Sequence, residues 1–244
     1  MITVIEKCIK DDLLSEILEL ANKSSIKWKD EPDGKYHEMY GKKALHYSDL
    51  ENETFNELMN KFKTELVNNK AWDTFSVDVP ILLGPLIRFS KYNVDMKYDW
   101  HTDHEFIGFP EFMREPVLSN YAYSLIVNDD YEGGEFEIKL PTSYKNGKME
   151  VKTFQAKSGD VIIWPTNYSH RVKTITKGSR IVINGWLTHT IKNHNDLSEI
   201  IFVHKMMREI AEESGDEISS TKMELVKKLV ALKATLIAKH QITK

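Results

Sequence analysis

The chain has 244 residues, ordinary apolar and charged content, a formal net charge of -4 and a pI near 6.2. That length suits one large domain, or one domain with a helical appendage, and the composition argues against disorder. The mild acidity argues against non-specific nucleic-acid binding, and a single cysteine, Cys8, rules out an intramolecular disulfide and a thiolate metal site.

The opening MITVIEKCIKDDLL meets acidic residues before an apolar run can form, so it reads as neither signal peptide nor anchor. No window is apolar enough to span a bilayer. The expected setting is cytoplasmic.

The first third reads as helical. Asp11-Asp12 is expected to cap a helix whose apolar stripe is Leu13, Ile17, Leu20 and Ala21. A second helix is expected over 48–68, with Phe55, Leu58, Met59, Phe62 and Leu66 on one face. Glu31-Pro32-Asp33-Gly34 between them is a turn signal. From residue 79 the texture changes to short β-rich runs: Pro80–Phe89, Tyr121–Asn128, Phe136–Leu140, Lys148–Phe154, Val161–Trp164 and Arg180–Leu187. Lys145-Asn146-Gly147 is a hairpin signal, and Gly133-Gly134 a turn or bulge. No helix-length period interrupts these runs, so an antiparallel double sheet or barrel fits better than a parallel α/β sheet.

Helical periodicity returns after residue 194, through Ile200, Ile201, His204, Met207 and Ile210, with a break at Ser214-Gly215. A final helix from about Ser219 has Leu225, Leu229, Leu232 and Leu236 as its stripe. From residue 222 onward there are six lysines against one glutamate, expected to form a solvated face. The leucine stripe packs on the outside of the β core or pairs with its twin, leaving a monomer or a homodimer through that helix. The expected organisation is 1–192 as one domain, with helical support over 1–78 and a β core over 79–192, followed by a helical extension over 193–244.

The residues that carry chemistry begin at His101-Thr102-Asp103. In an extended strand, positions i and i+2 face the same side, so His101 and Asp103 would share a cavity. His170 comes from another strand. Two imidazoles and one carboxylate can occupy one face of a ferrous ion and leave positions open for a co-substrate and dioxygen. Arg180, ten residues beyond His170, could hold the far carboxylate of an acidic co-substrate. Alone, H-x-D is more often a surface accident, and an arginine on a strand is more often solvated.

The surrounding motifs decide between these readings. Arg88-Phe89-Ser90-Lys91-Tyr92 and Tyr98-Asp99-Trp100 precede the first pair. Tyr131-Glu132-Gly133-Gly134, then Ser158-Gly159-Asp160 through Trp164-Pro165, Ser169-His170-Arg171-Val172 and Lys177-Gly178-Ser179-Arg180 through Trp186 follow in order. Over roughly 80–190 the chain resembles the iron(II)- and 2-oxoglutarate-dependent oxygenases, in particular the PKHD-type hydroxylases of the prolyl 4-hydroxylase-like branch. Their tyrosine, glycine, tyrosine, H-x-D spacing is met by Tyr92, Tyr98, His101 and Asp103, but the glycine position holds Asp95.

The resemblance implies a mainly β fold of the α+β class: a double-stranded β-helix, or jelly roll, flanked by helices at both ends. It implies Fe(II) on His101, Asp103 and His170, 2-oxoglutarate on Arg180, O2 as oxidant and ascorbate as reductant. Tyr92 would reach toward the co-substrate, and Ser124 would supply a second polar contact, with Tyr123 the alternative if the register slips by one. Trp186, Trp164 and Trp100 are candidates to wall the pocket or to be plain core.

The implied reaction is hydroxylation of a C–H bond with release of succinate and CO2; the carboxylate of Asp103 favours hydroxylation over halogenation. A prolyl residue in a protein or peptide leads as substrate, ahead of a free amino acid or other small molecule. A nucleic-acid dealkylase is disfavoured because Trp186 stands where that branch carries a second arginine. A non-catalytic jelly-roll binding protein remains the reading from another class. The loop 105–120, with Gly108-Phe109-Pro110 and Arg114-Glu115-Pro116, is the place to look for a substrate lid.

Overall fold

The computed structural model describes residues 2–30, 44–47, 52–72, 81–103, 106–107, 117–145, 147–189, 194–212 and 219–240. The chain divides into two compact units: Ile2–Trp72 with Leu83–Thr188, and Met1 with Asp73–Leu82 and His189–Lys244.

In the first unit, β1 (Thr3–Ile5), α1 (Asp11–Asn22), β2 (Lys29–Asp30), β3 (Leu45–Tyr47) and α2 (Glu53–Val67) lead into the β core. The core contains β4 (Ile81–Tyr92), β5 (Tyr98–His101), β6 (Phe106–Ile107), β7 (Val117–Leu118), β8 (Tyr121–Ile126) and β9 (Glu132–Gly133). It continues through β10 (Phe136–Lys145), β11 (Lys148–Phe154), β12 (Val161–Pro165), β13 (His170–Val172), β14 (Ile175–Lys177) and β15 (Arg180–His189). Among the described residues, a seven-stranded sheet runs β1-β12-β8-β15-β4-β3-β2 and a four-stranded sheet β11-β10-β13-β5. The strand pairs whose registers are given are antiparallel.

Alternation sorts the core. On β8, Ala122 and Ile126 join Ile162, Trp164, Val182 and Tyr92 in meeting Phe136, Ile138, Phe154 and Val172 of the smaller sheet. The opposite face of the large sheet is also covered. Phe55 of α2 packs edge-on to Phe89 (5.4 Å between centroids), and Phe62 meets Tyr123 (5.9 Å). This is why all six residues of β8 are buried and why its sequence does not alternate apolar with polar. Two sheets facing each other, with helices on one side, make the expected jelly roll.

The helical stripes of the first third bury the residues that periodicity picked out: Leu13, Ile17, Leu20 and Ala21 on α1, and Phe55, Leu58, Met59, Phe62 and Leu66 on α2. Each such side chain contributes about 1.5–3 kcal/mol on full burial.

Two details differ. Asp11 and Asp12 lie inside the first turn of α1, where they complement the positive helix end, and Lys10 is the N-cap residue without a side-chain cap bond. The second helix starts later than expected, because the Asn52 side chain accepts from Phe55 N at 2.9 Å and caps it; residues 48–51 lie outside the described residues. The first third is also less helical than its periodicity suggests. β1, β2 and β3 are too short to show a period and take their strand form by pairing, β1 with β12, β2 with β3, and β3 with β4.

Strand limits follow the sequence closely at Lys148–Phe154, fall short of it in β8, which ends at Ile126 rather than Asn128, and extend beyond it in β10, β12 and β15. β10 continues to Lys145 past an irregularity between Leu140 and Tyr144. The ends of the 105–120 segment pair with each other as β6 and β7, Phe106 opposite Leu118 and Ile107 opposite Val117. Its centre, with Gly108-Phe109-Pro110 and Arg114-Glu115-Pro116, lies outside the described residues. So do the Glu31–Gly34 turn, Asn146 and the Ser214-Gly215 break.

The second unit contains α3 (His194–Glu212) and α4 (Ser220–His240), which pack against each other. The leucine stripe of α4 is split: Leu229 is buried, whereas Leu225 and Leu232 are exposed. The buried line instead passes through Leu229 and Lys233, one helical turn apart. Lys233 is thus an exception to the solvated lysine face; its Nζ lies 3.4 Å from Nδ1 of His204 on α3. No described helix is long and apolar enough to cross a membrane.

Candidate metal and co-substrate site

His101 closes β5 and His170 opens β13, and the two stand opposite each other in the antiparallel register. Each imidazole makes the same local bond. His101 Nδ1 lies 2.8 Å from the carbonyl of Asp99, and His170 Nδ1 lies 2.9 Å from that of Tyr168. A carbonyl only accepts, so both rings carry their proton on Nδ1 and present the Nε2 lone pair. Tyr98 stacks on His101 at 3.5 Å between centroids and holds its plane.

Asp103 does not lie on the strand as expected: β5 ends at His101. Its position is set instead by its backbone N–H donating to Thr166 O at 3.1 Å. One ligand atom from each of His101, Asp103 and His170 lies within 4.8 Å of the others. Asp103 Oδ2 is 3.7 Å from His170 Nε2, too far for a hydrogen bond, and is buried without a hydrogen-bond partner among the described residues. A buried carboxylate oxygen in that condition is costly unless a cation meets it. Two neutral imidazoles and this oxygen therefore fit a ferrous ion, and the donor set is the right one.

The cluster opens into a small cavity of about 50 Å³. Tyr92, Ser124, Trp164, Arg180 and Trp186 also line it. Arg180 is 2% exposed; its guanidinium lies over the Tyr92 ring at 5.5 Å, and its Nε has no hydrogen-bond partner among the described residues. The start of β15 is braced by Asn128, whose Oδ1 accepts from Ile181 N at 2.7 Å and whose Nδ2 donates to Ser179 O at 2.8 Å. Gly134, at φ +67°, lets the chain pass close to Arg180: a Cβ there would stand 3.3 Å from Arg180 Cδ.

Ser124 faces the cavity side of β8, but its hydroxyl already donates to Asn184 Oδ1. Its neighbour Tyr123 packs its ring across Gly185 and onto Phe62, so the register puts its bulk on the helix side; burial pushes its phenol well above the ordinary range. Trp164 and Trp186 wall the cavity as expected. Trp100 does not: it lies between Lys139 Nζ (4.4 Å) and Arg171 Cζ (4.6 Å), because alternation along β5 turns it away from His101.

Sequence reading missed His46, Arg88, Ser90 and Asn184, which also line the cavity. Asn184 Nδ2 donates to Ser90 Oγ at 2.7 Å, and His46 Nδ1 is 2.9 Å from the same oxygen. Polar residues at alternate positions of β4 and β15 were the available signal.

Residues 87–188 match the 2OG-Fe(II) oxygenase superfamily. Both histidines, Asp103 and Arg180 fall inside the matched stretch. A PKHD-type hydroxylase of Rippkaea orientalis is 30% identical over 145 residues, covering 57% of this chain and 61% of that relative. The chain spans little more than half the length of the curated relatives it matches. The resemblance to PKHD-type hydroxylases therefore stands. Two solved structures share the fold. A 2OG-Fe(II) oxygenase family oxidoreductase from Burkholderia pseudomallei has a TM-score of 0.58 at 11% identity, over 77% of this chain and 85% of that one. A Pseudomonas putida prolyl-4-hydroxylase has a TM-score of 0.51 at 12% identity, over 76% and 91%.

Proposed function

We propose that the chain is an Fe(II)- and 2-oxoglutarate-dependent dioxygenase, with residues 1–192 as the oxygenase domain and 193–244 as a helical extension. The observation that carries this reading is the cluster of His101, Asp103 and His170 within 4.8 Å, in a cavity that also holds the buried Arg180. Bound there, Fe(II) with 2-oxoglutarate and O2 supplies hydroxylation of a C–H bond, with release of succinate and CO2.

The chain's own residues do the rest. His101 and His170 offer Nε2 because backbone carbonyls hold Nδ1–H, and Asp103 offers its orphaned oxygen. Arg180 pairs the far carboxylate of the co-substrate with its planar fork, and Tyr92 keeps that fork in plane from below. Trp164 and Trp186 exclude water from the reacting end. Ser124 acts through Asn184, since its proton is committed there.

The substrate in this reading is a prolyl residue in a protein or peptide, supported by relatives named PKHD-type hydroxylase. A free amino acid or another small molecule is the second reading, favoured by the two guanidinium groups, of Arg88 and Arg180, that line the cavity. Ascorbate as reductant, a cytoplasmic setting, the absence of a nucleic-acid substrate, and a monomer or a homodimer through the last helix belong to the same proposal.

The test is succinate formation from 2-oxoglutarate with Fe(II) and ascorbate, comparing the wild type with His101→Ala. Metal binding is followed in parallel by Mn(II) titration. The wild type is expected to bind metal and form succinate, and the variant to do neither. A wild type that binds no metal and turns over nothing would sink the assignment.

A further inference from the structure

A sheet edge presents backbone N–H and C=O groups that a further strand can pair with, and proteins guard such edges first by keeping the edge strand short. Among the described residues, the two main sheets end at β1, β2, β5 and β11. β1 has three residues, β2 two and β5 four. β11 has seven, Lys148–Phe154, and all but Phe154 are exposed. β10 pairs along one side of it, from Phe136 opposite Phe154 to Lys145 opposite Lys148. The other side of β11 is the longest sheet edge among the described residues.

The seven residues centre on Val151. A two-fold axis through Val151, perpendicular to the sheet, lays the whole strand antiparallel to the same strand of a second copy. Val151 then meets its own counterpart, Glu150 meets Lys152, Met149 meets Thr153 and Lys148 meets Phe154. Facing residues lie on the same side of the sheet, because the members of each pair are an even number of positions apart. Every such contact occurs twice except that of Val151 with itself.

Charge selects this register, since opposite charges facing each other across strands are favourable and like charges are not. Centred on Glu150, the pairing sets Glu150 against itself and Lys148 against Lys152. Centred on Lys152, it sets Lys152 against itself. Centred on Met149, it matches Lys148 with Glu150 but overlaps only three residues of β11. Only the register centred on Val151 pairs all seven residues and opposes Glu150 to Lys152 in both directions. The Ser143 hydroxyl donates to Glu150 Oε2, which leaves Oε1 for the partner's Lys152. Apolar area follows the same plan. Phe154 belongs to the buried core, so alternation puts Met149 and Val151 on the opposite face, where they are 43% and 41% exposed.

We propose that the chain pairs with a second copy of itself through β11, joining two four-stranded sheets into one continuous sheet. His170 on β13 and His101 on β5 lie two and three strands in from that edge, so the pairing leaves the candidate metal site uncovered. It is independent of α4, and a dimer held by the last helix is a different outcome.

Sedimentation velocity of the full chain at micromolar concentrations tests this, with Glu150→Lys, Lys152→Glu and the double variant that exchanges the two charges. The wild type is expected to run as a dimer. Each single change acts at two places in a two-fold interface, so each should weaken association about tenfold or more. The double variant should restore it. An equimolar mixture of the two single variants should also associate like the wild type, because each then meets the opposite charge. That mixture separates pairing between chains from any effect within one chain or on its folding. A monomeric wild type overturns the proposal and leaves this edge to a strand of a different protein. A dimer indifferent to all the variants overturns it in favour of another interface, and single variants that neither exchange nor mixing rescues overturn the register.

Discussion

Gly134 couples the packing of the β core to Arg180, the proposed co-substrate anchor, and Gly134→Ala measures that coupling. The new methyl would stand 2.3 Å from Ile175 Cδ1 and 3.3 Å from Arg180 Cδ and Tyr131 Cε2, on a backbone at φ +67°. Left-handed backbone costs an alanine about 1–2 kcal/mol, and overpacking against a fully buried neighbour typically adds about 1–3 kcal/mol. The blocking atom of Ile175 ends a side chain rather than a backbone, so a total of about 2–4 kcal/mol is expected.

The two contributions separate in a double-mutant cycle. Ile175→Val deletes the clashing Cδ1 and alone costs about 0.5–1.5 kcal/mol. In Gly134→Ala/Ile175→Val the steric part is relieved and the left-handed cost stays, giving a favourable coupling of about 1–2 kcal/mol. Urea unfolding midpoints of the four proteins supply the cycle. Titration with 2-oxoglutarate shows whether a displaced Arg180 weakens the anchor in the single mutant and recovers in the double. Additive stabilities, within about 0.5 kcal/mol, would refute the steric argument.

Two further outcomes are expected. Asp95 holds the left-handed conformation (φ +68°) at the position where the PKHD pattern has glycine, with its N–H donating to Ile175 O at 3.0 Å. Thermal unfolding should therefore rank Asp95→Gly at or above the wild type and Asp95→Ala about 1 kcal/mol below Asp95→Gly; an alanine variant as stable as the glycine one would contradict this. Cys8 is held protonated by burial, reinforced by the negative charges of Glu65 and Asp160, which together push its thiol from 9.0 up to about 12. The native thiol should resist iodoacetamide at mildly alkaline pH, while the urea-unfolded chain reacts. Between 9.0 and about 12 the unfolded chain has lost the proton that the folded chain keeps, so stability falls as pH rises through that window. Cys8→Ala should make that fall shallower; an unchanged slope would count against the buried-thiol explanation.

Locally encoded features were the readable ones. The stripes of α1 and α2 show at the helical period because one face of each packs and the other is wet. β11 was read to its ends because it is bounded by a turn at Gly147 and by the loop after Phe154. The histidine–aspartate cluster and Arg180 were legible through the ordered motifs around them, since H-x-D or a lone strand arginine does not by itself mark a site. β1, β2 and β3 were not visible, since three residues or fewer carry no period. The buried Lys233 was misread because a lysine's solvation depends on its partner helix, which composition does not reveal.

By itself, then, the chain's sequence determined its β core, its supporting helices and the identity of the residues that meet at the candidate metal site. Tertiary structure alone decided which residues stand side by side across strands. Trp164, Ala122 and Trp186 form one row and Asn184, Ser90 and His46 the next, although they come from distant parts of the chain. The same registers turned Trp100 outward, committed the Ser124 hydroxyl to Asn184 and brought Arg88 into the cavity. The reason is physical: periodicity along a strand says that residues alternate, but only pairing between strands fixes which side is which and what lies opposite.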